Sequence, residues 1–177
     1  MKAIETLHKG IMYRSRTEAR WAVFMDALGI RHSYEPEGFD LGEDGWYLPD
    51  FWLPDLDVFL EIKPEIISEG RSSPTEALSK HTGKAVYTFF GSPYVFGFCP
   101  DNYSENGYVD LPCGGSDYDY AFCVCPHCGM AGIEFNGRTD RIDCDCPKSP
   151  HGDKGYNHED PRIIDALFLA TNQKFTR

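Results

Sequence analysis

Residues 46–64 read WYLPDFWLPDLDVFLEIKP, and the reading of this stretch decides the fold. It predicts two strands joined by a tight turn at Pro54-Asp55, residue types that favour turns. The first strand is rich in aromatic residues and carries Asp50. The second, Val58-Phe59-Leu60-Glu61-Ile62-Lys63, is apolar on both faces and then ends in two charges. Side chains alternate along a strand, so Glu61 and Lys63 share one face while Leu60 and Ile62 share the other. An acid and an amine on a strand that otherwise reads as buried are costly unless they meet a partner or a metal ion.

Asp50 beside Glu61 and Lys63 brings two carboxylates and an ammonium within reach of one point. Hard oxygen ligands suit Mg²⁺ or Mn²⁺, which keep waters and bridge to phosphate oxygens. A lysine next to such an ion can orient the attacking water. These groups together suit hydrolysis of a phosphodiester. The plainer alternative makes Asp50 a strand-edge acid, and Glu61 with Lys63 an ion pair where the strand meets water.

Pro49-Asp50, followed after a short gap by Glu61-Ile62-Lys63, resembles the signature of the PD-(D/E)xK nuclease superfamily. That superfamily includes many restriction enzymes, Holliday-junction resolvases and transposon-end nucleases. From Tyr13 to Pro64 the pattern is similar to small nuclease-like proteins of phages and actinobacterial elements. The resemblance implies an α/β fold with a restriction-endonuclease-like αβββαβ core. It also implies catalytic roles for Glu18, Asp50, Glu61 and Lys63. Asp50 and Glu61, with the backbone carbonyl of Ile62, would hold Mg²⁺ or Mn²⁺. Glu18, matching a glutamate that the family places on its first helix, would complete the shell or hold a second ion. DNA is the substrate so implied, and both a homodimer and a protein partner stay open.

Glu18 has a second reading. Ser15 as N-cap with Glu18 three residues on makes a capping box. The helix then runs to Leu28 and stops at Gly29, with Trp21, Phe24, Met25 and Leu28 as its core side. Arg14, Arg16 and Arg20 form either a solvated face or a phosphate-contacting one. Residues 1–13 read as a mixed lead-in, 30–36 as a strand, and 38–45 as a turn. Ser73 is expected to cap a second helix with Pro74 at its first position, running to about His81 with Ala77 and Leu78 toward the sheet. Residues 84–90 (KAVYTFF) predict a central strand, parallel to its predecessor through the helical crossover. Residues 94–99 predict one more strand.

The net charge of −11 sits awkwardly with a nucleic-acid enzyme, because phosphate binding usually leaves a basic footprint. Carboxylates at a metal site are neutralised by the ion they hold, and residues 8–34 are locally basic. Weak, salt-dependent DNA affinity is expected. No run of apolar residues is long enough for a membrane span, and MKAIETLHKG lacks the apolar core of a signal peptide. A cytoplasmic location is the resulting expectation.

Seven cysteines in such a chain point to metal rather than disulfides. Residues 121–150 contain Cys125-Pro-His-Cys128-Gly and, after a short gap, Cys144-Asp-Cys146-Pro. Two close thiolate pairs match a structural Zn²⁺ site and resemble a zinc ribbon. The second pair is tighter than usual, so Cys123, His127 or His151 could replace a ligand. Cys99 and Cys113 read as free thiols, and Arg138 with Arg141 as surface cations or nucleic-acid contacts. The expected organisation is a nuclease-like domain over 1–99, a linker over 100–120, the ribbon over 121–150, and a C-terminal loop and docking helix over 151–177. That helix, opening at Asp160-Pro161, has Ile163, Ile164, Leu167, Phe168 and Ala170 as its apolar stripe. The function expected is metal-dependent DNA hydrolysis; the alternative is a non-catalytic nuclease-like docking protein of a phage or mobile element.

Overall fold

The computed structural model describes residues 3–64, 73–93, 107–135, 144–146 and 160–175. Strands β1 (Thr6–His8) and β2 (Ile11–Tyr13) form a hairpin where only a lead-in was expected. Its two-residue turn, Lys9-Gly10, has positive φ at both positions, the geometry that matches strand twist. Helix α1 (Arg16–Ala27) follows, with Ser15 as N-cap and Gly29 in the left-handed conformation just past its end.

Next come β3 (Ser33–Tyr34), β4 (Phe39–Asp40), β5 (Trp46–Tyr47), β6 (Phe51–Leu53) and β7 (Val58–Lys63). The single strand expected over residues 46–53 is broken in two. Trp46–Tyr47 pairs with Phe39–Asp40 in a separate ribbon, while Phe51–Leu53 pairs with β7. Pro49 explains the break: it has no N–H for a ladder and restricts Leu48 before it. The strand expected over 30–36 shrinks to two residues, and the supposed turn of 38–45 contains β4.

Helix α2 (Ser73–Thr82) starts at Ser73 itself and ends at Gly83, which has positive φ. Leu78 faces the sheet fully buried; Ala77 is half-buried. Strand β8 (Val86–Phe90) runs parallel to β7, as the apolar run predicted. Then come β9 (Gly107–Asp110), β10 (Ser116–Val124), β11 (Ala131–Phe135) and α3 (Pro161–Asn172). Among the described residues the main sheet has the order β11-β10-β9-β8-β7-β6-β3, with β7 and β8 as its parallel pair and the rest antiparallel.

This order corrects the expected linker of 100–120. Residues 107–110 and 116–124 are strands, so the cysteine hairpin continues the sheet. The Gly- and Asp-rich composition hid them, because the apolar residues lie between turn formers. The strand expected over 94–99, Cys99, Arg138, Arg141 and His151 lie outside the described residues.

Helices α1 and α3 cover the sheet face that carries Leu60, Ile62 and Phe89. Phe122 of β10 packs against Trp21, Phe24 and Phe89 with ring centroids 5.7, 5.2 and 5.3 Å away. The Trp21 indole donates to the Gly91 carbonyl at 2.8 Å, which ties α1 to the end of β8. The opposite face, with Phe59 and Val86, is covered by Leu78 of α2 and by Phe39, Tyr47 and Trp52. In α3, Ile163, Ala166, Leu167 and Ala170 are buried, but Ile164 and Phe168 of the expected stripe face outward. No helix among the described residues is long and apolar enough to cross a membrane.

Candidate acidic site and four-cysteine metal centre

Asp50 lies at the break between β5 and β6, where Pro49 ends one ribbon and the main sheet begins. Its carboxylate is buried and held on both oxygens. Oδ2 accepts the Ile62 N–H at 2.7 Å, and Oδ1 accepts from Arg14 Nη2 at 2.5 Å. The paired part of β6 ends at Phe51 opposite Leu60, so the edge of β7 beyond Leu60 is free for a side chain. A strand residue points its N–H and C=O to the same edge. The Ile62 carbonyl therefore faces the side where Asp50 sits, while the Lys63 carbonyl faces β8 and takes the Gly91 N–H.

Glu61 is 6% exposed and projects from the face opposite Leu60 and Ile62. Lys63, two residues on, donates to its Oε1 at 2.5 Å. Its Oε2 is buried without a hydrogen-bond partner. The Tyr47 hydroxyl lies close by but outside good hydrogen-bond geometry; burial first, then the Glu61 charge, pushes its ionisation well above the ordinary phenol range.

Glu18 approaches from the other side, because α1 covers the face of Leu60 and Ile62. Ser15 Oγ accepts the Glu18 N–H at 3.1 Å and donates to Oε1 at 2.7 Å, so Ser15 caps the helix as expected, while the Glu18 carboxylate takes the serine hydroxyl instead of the backbone N–H of a full capping box. Tyr34 donates to Oε2 at 2.6 Å. Both oxygens of Glu18 are thus engaged, and its charge, like that of Glu61, acts on Asp50. Burial, followed by the Glu61 charge, pushes the Asp50 carboxyl up to about 8; the Ile62 N–H and Arg14 oppose that rise, and Glu18 adds to it.

The carboxylates of Glu18, Asp50 and Glu61 do not converge into a ready cage. Among the described residues, four cysteines form the one group of three or more such ligands that does. Cys125 and Cys128 lie at the tip of the β10–β11 hairpin, and Cys144 and Cys146 close over it. Their four sulfurs lie within 4.8 Å of one another, with Cys125 and Cys144 Sγ atoms 3.6 Å apart. A tetrahedral ion with Zn–S bonds of about 2.3 Å would need sulfur separations of about 3.8 Å, so the four fit zinc. Burial opposes ionisation of Cys125, but N–H groups of Cys128 and His127, with the neighbouring thiols, outweigh it and bring the thiol down to about 6. Hydrogen bonds to the other thiols hold Cys146 up at about 12.

Cys123 is no substitute ligand. It is fully buried, its thiol points toward the Gly132 carbonyl, and burial raises its ionisation far above the ordinary range. His127 is also outside the group, and Cys113 is an exposed free thiol. The guanidinium of Arg162 lies against Gly129, leaving no space for a side chain there, and is paired with Asp160 at 2.7 and 2.8 Å.

Arg14, Tyr34 and Tyr47 are members of the acidic site that motif reasoning missed. Arg14 precedes the capping serine, and a salt bridge to Glu35 at 2.7 Å accompanies its bond to Asp50. The tyrosines carried no signal except their place in aromatic strands. Comparison of the chain with family models, curated proteins and solved structures gave no match.

Proposed function

We propose that Asp50, Glu61 and Lys63 are the working groups of a metal-dependent nuclease that hydrolyses phosphodiesters in DNA on a restriction-endonuclease-like core. The observation that carries this reading is the pair of buried acids on adjoining strands. Asp50 is raised first by burial and next by Glu61, Glu61 keeps one buried oxygen without a partner, and the Ile62 edge of β7 opens beside them. The element order supports it as well. Apart from the small β4–β5 ribbon, the chain from α1 runs helix, three antiparallel strands, helix, parallel strand, which is the αβββαβ order expected of the core.

A hard divalent ion, Mg²⁺ or Mn²⁺, would relieve the repulsion between the two acids. Asp50, Glu61 and the Ile62 carbonyl would hold it. Bound there, it would polarise a phosphate and stabilise the charge that develops on hydrolysis. Lys63, held at a Glu61 oxygen, positions the attacking water. Glu18 contributes negative field to Asp50 and joins the shell only on release from Ser15 and Tyr34.

One observation favours the second reading, a non-catalytic docking protein: Arg14 already supplies Asp50 with a positive partner. A cleavage assay separates the two, using labelled duplex, junction and single-stranded DNA with Mn²⁺. Asp50→Ala and Lys63→Ala should each abolish cleavage while leaving zinc content and the folded circular dichroism spectrum unchanged. Cleavage by either variant at the parental rate overturns the hydrolytic reading.

A further inference from the structure

A cavity of roughly 500 Å³ opens on the same sheet face as Glu61, walled by the rings of Phe39, Trp52 and Phe59, with His81 and Lys84 at its rim. Its size and its apolar walls with a few polar groups are those of a small-molecule site. Phe59 precedes Glu61 by one full alternation, so the cavity lies about 7 Å along the strand from the acidic pair. Tyr47 joins the two places: like Phe39 and Trp52 it packs against the cluster of Phe59, Leu78 and Val86, and its hydroxyl lies beside Glu61.

We propose that this cavity receives an unstacked nucleobase, so that the preferred substrate is single-stranded or locally unpaired DNA. The inference rests on the hydrolytic reading of the acidic site and names its substrate class. A nucleotide carries its base a short way from its phosphate, so a phosphate at Asp50 and Glu61, about 7 Å along the strand from Phe59, sets a neighbouring base at the aromatic walls. A base in a duplex cannot enter, since its faces are covered by stacking. Stacking also answers the charge problem. A chain of net charge −11 gains little from phosphate contacts, whereas an aromatic wall holds a base independently of charge. Lys84 at the rim is already paired with Asp57 and Glu37 also lines the cavity, so the site offers a base aromatic walls rather than positive charge; His81 is exposed beside Phe39 with ring centroids 6.1 Å apart.

The test uses the full-length, zinc-loaded chain with Asp50→Asn to prevent cleavage. Binding of a fluorescently labelled oligothymidine eight-mer and of a blunt duplex is followed by anisotropy. The single strand should bind more tightly than the duplex. Phe39→Ala, which removes a wall, and His81→Glu, which puts a negative charge on the exposed rim with little risk to folding, should each weaken single-strand binding about tenfold and leave duplex binding unchanged. Unchanged single-strand affinity in a folded His81→Glu and Phe39→Ala pair overturns the inference. So does an equal loss on both DNA forms. If the pocket variants behave as expected but the parental chain cleaves nothing with Mn²⁺, the hydrolytic reading fails and the base pocket stands. If the parental chain cleaves while the pocket variants bind and cleave single strands as it does, the pocket fails and hydrolysis stands.

Discussion

Arg14 reaches across from the start of α1 and donates to Asp50 at 2.5 Å, taking the place beside that carboxylate which a cation would otherwise fill. Asp50 is 3% exposed, whereas the Arg14 side chain is half in solvent, so the arginine is the partner able to leave. Replacing it with Gln should remove a charge-assisted bond and lower stability without divalent ions by about 1.5–3 kcal/mol. Mn²⁺ should then raise the melting temperature of Arg14→Gln more than that of the parent, since ion and guanidinium compete for one oxygen. Thermal melts of both proteins with and without Mn²⁺ check this; an equal shift in both would show that they do not compete.

The second prediction concerns pH. Asp50 is raised from the ordinary carboxylate range to about 8, first by burial and next by Glu61. The folded chain therefore keeps a proton that the unfolded chain has released above roughly pH 4. Fewer protons on the unfolded state mean that stability falls as pH rises. The Asp50 contribution is full below about pH 4, declines above it, and is lost once pH passes the folded value near 8. Asp50→Asn should flatten this part of the stability–pH curve, measured by urea unfolding without divalent ions. A curve with the same slope in the variant would remove the assignment.

Zinc supplies the third. Cys125→Ser or Cys144→Ser should abolish stoichiometric zinc, because each removes one of four converging thiolates. Cys123→Ala should retain zinc in full, since its sulfur points at the Gly132 carbonyl instead. Elemental analysis of the purified variants reads the difference directly. A Cys123→Ala protein without zinc would mean that the wrong four residues have been chosen.

A fourth prediction follows from the seat of Arg162 on Gly129. Gly129 has φ of +80°, and a methyl group there would strike the guanidinium. Gly129→Ala should lose about 1–2 kcal/mol to backbone strain alone. Displacing Arg162 should also loosen the start of α3, which Asp160 caps by accepting the Arg162 N–H at 2.9 Å. Hydrogen exchange should be faster in the first turn of α3 for both Gly129→Ala and Arg162→Ala, but Arg162→Ala should show no strain penalty in β10–β11.

The legible parts of this chain were those with dense local signals. Ser15, Glu18 and Gly29 bracket α1 by capping chemistry, and the structure places that helix there. The apolar run before Phe90 announced a buried central strand. The cysteine spacing pointed to the four residues that converge. The failures came where long-range pairing overrides composition. Nothing local in Gly107-Tyr108-Val109-Asp110 says strand as strongly as its place between β8 and β10. At Pro49 the aromatic pattern continued while the hydrogen-bond ladder could not. In the acidic site, motif spacing brought Asp50, Glu61 and Lys63 to one end of adjoining strands. The Ser15–Glu18 contact was legible as a capping pair, but the Tyr34 hydroxyl on the second oxygen of Glu18 was not, because that contact depends on how α1 lies across the sheet.

Because β9 completes the hydrogen-bonding edge of β8, a chain cut before residue 107 would not yield a clean minimal fragment. It would bare a ladder of unsatisfied amides and carbonyls beside Val86, Tyr87 and Thr88, an invitation to self-association. The acidic strand and the cysteine hairpin are rows of one fabric, and trimming away the second would unravel the first.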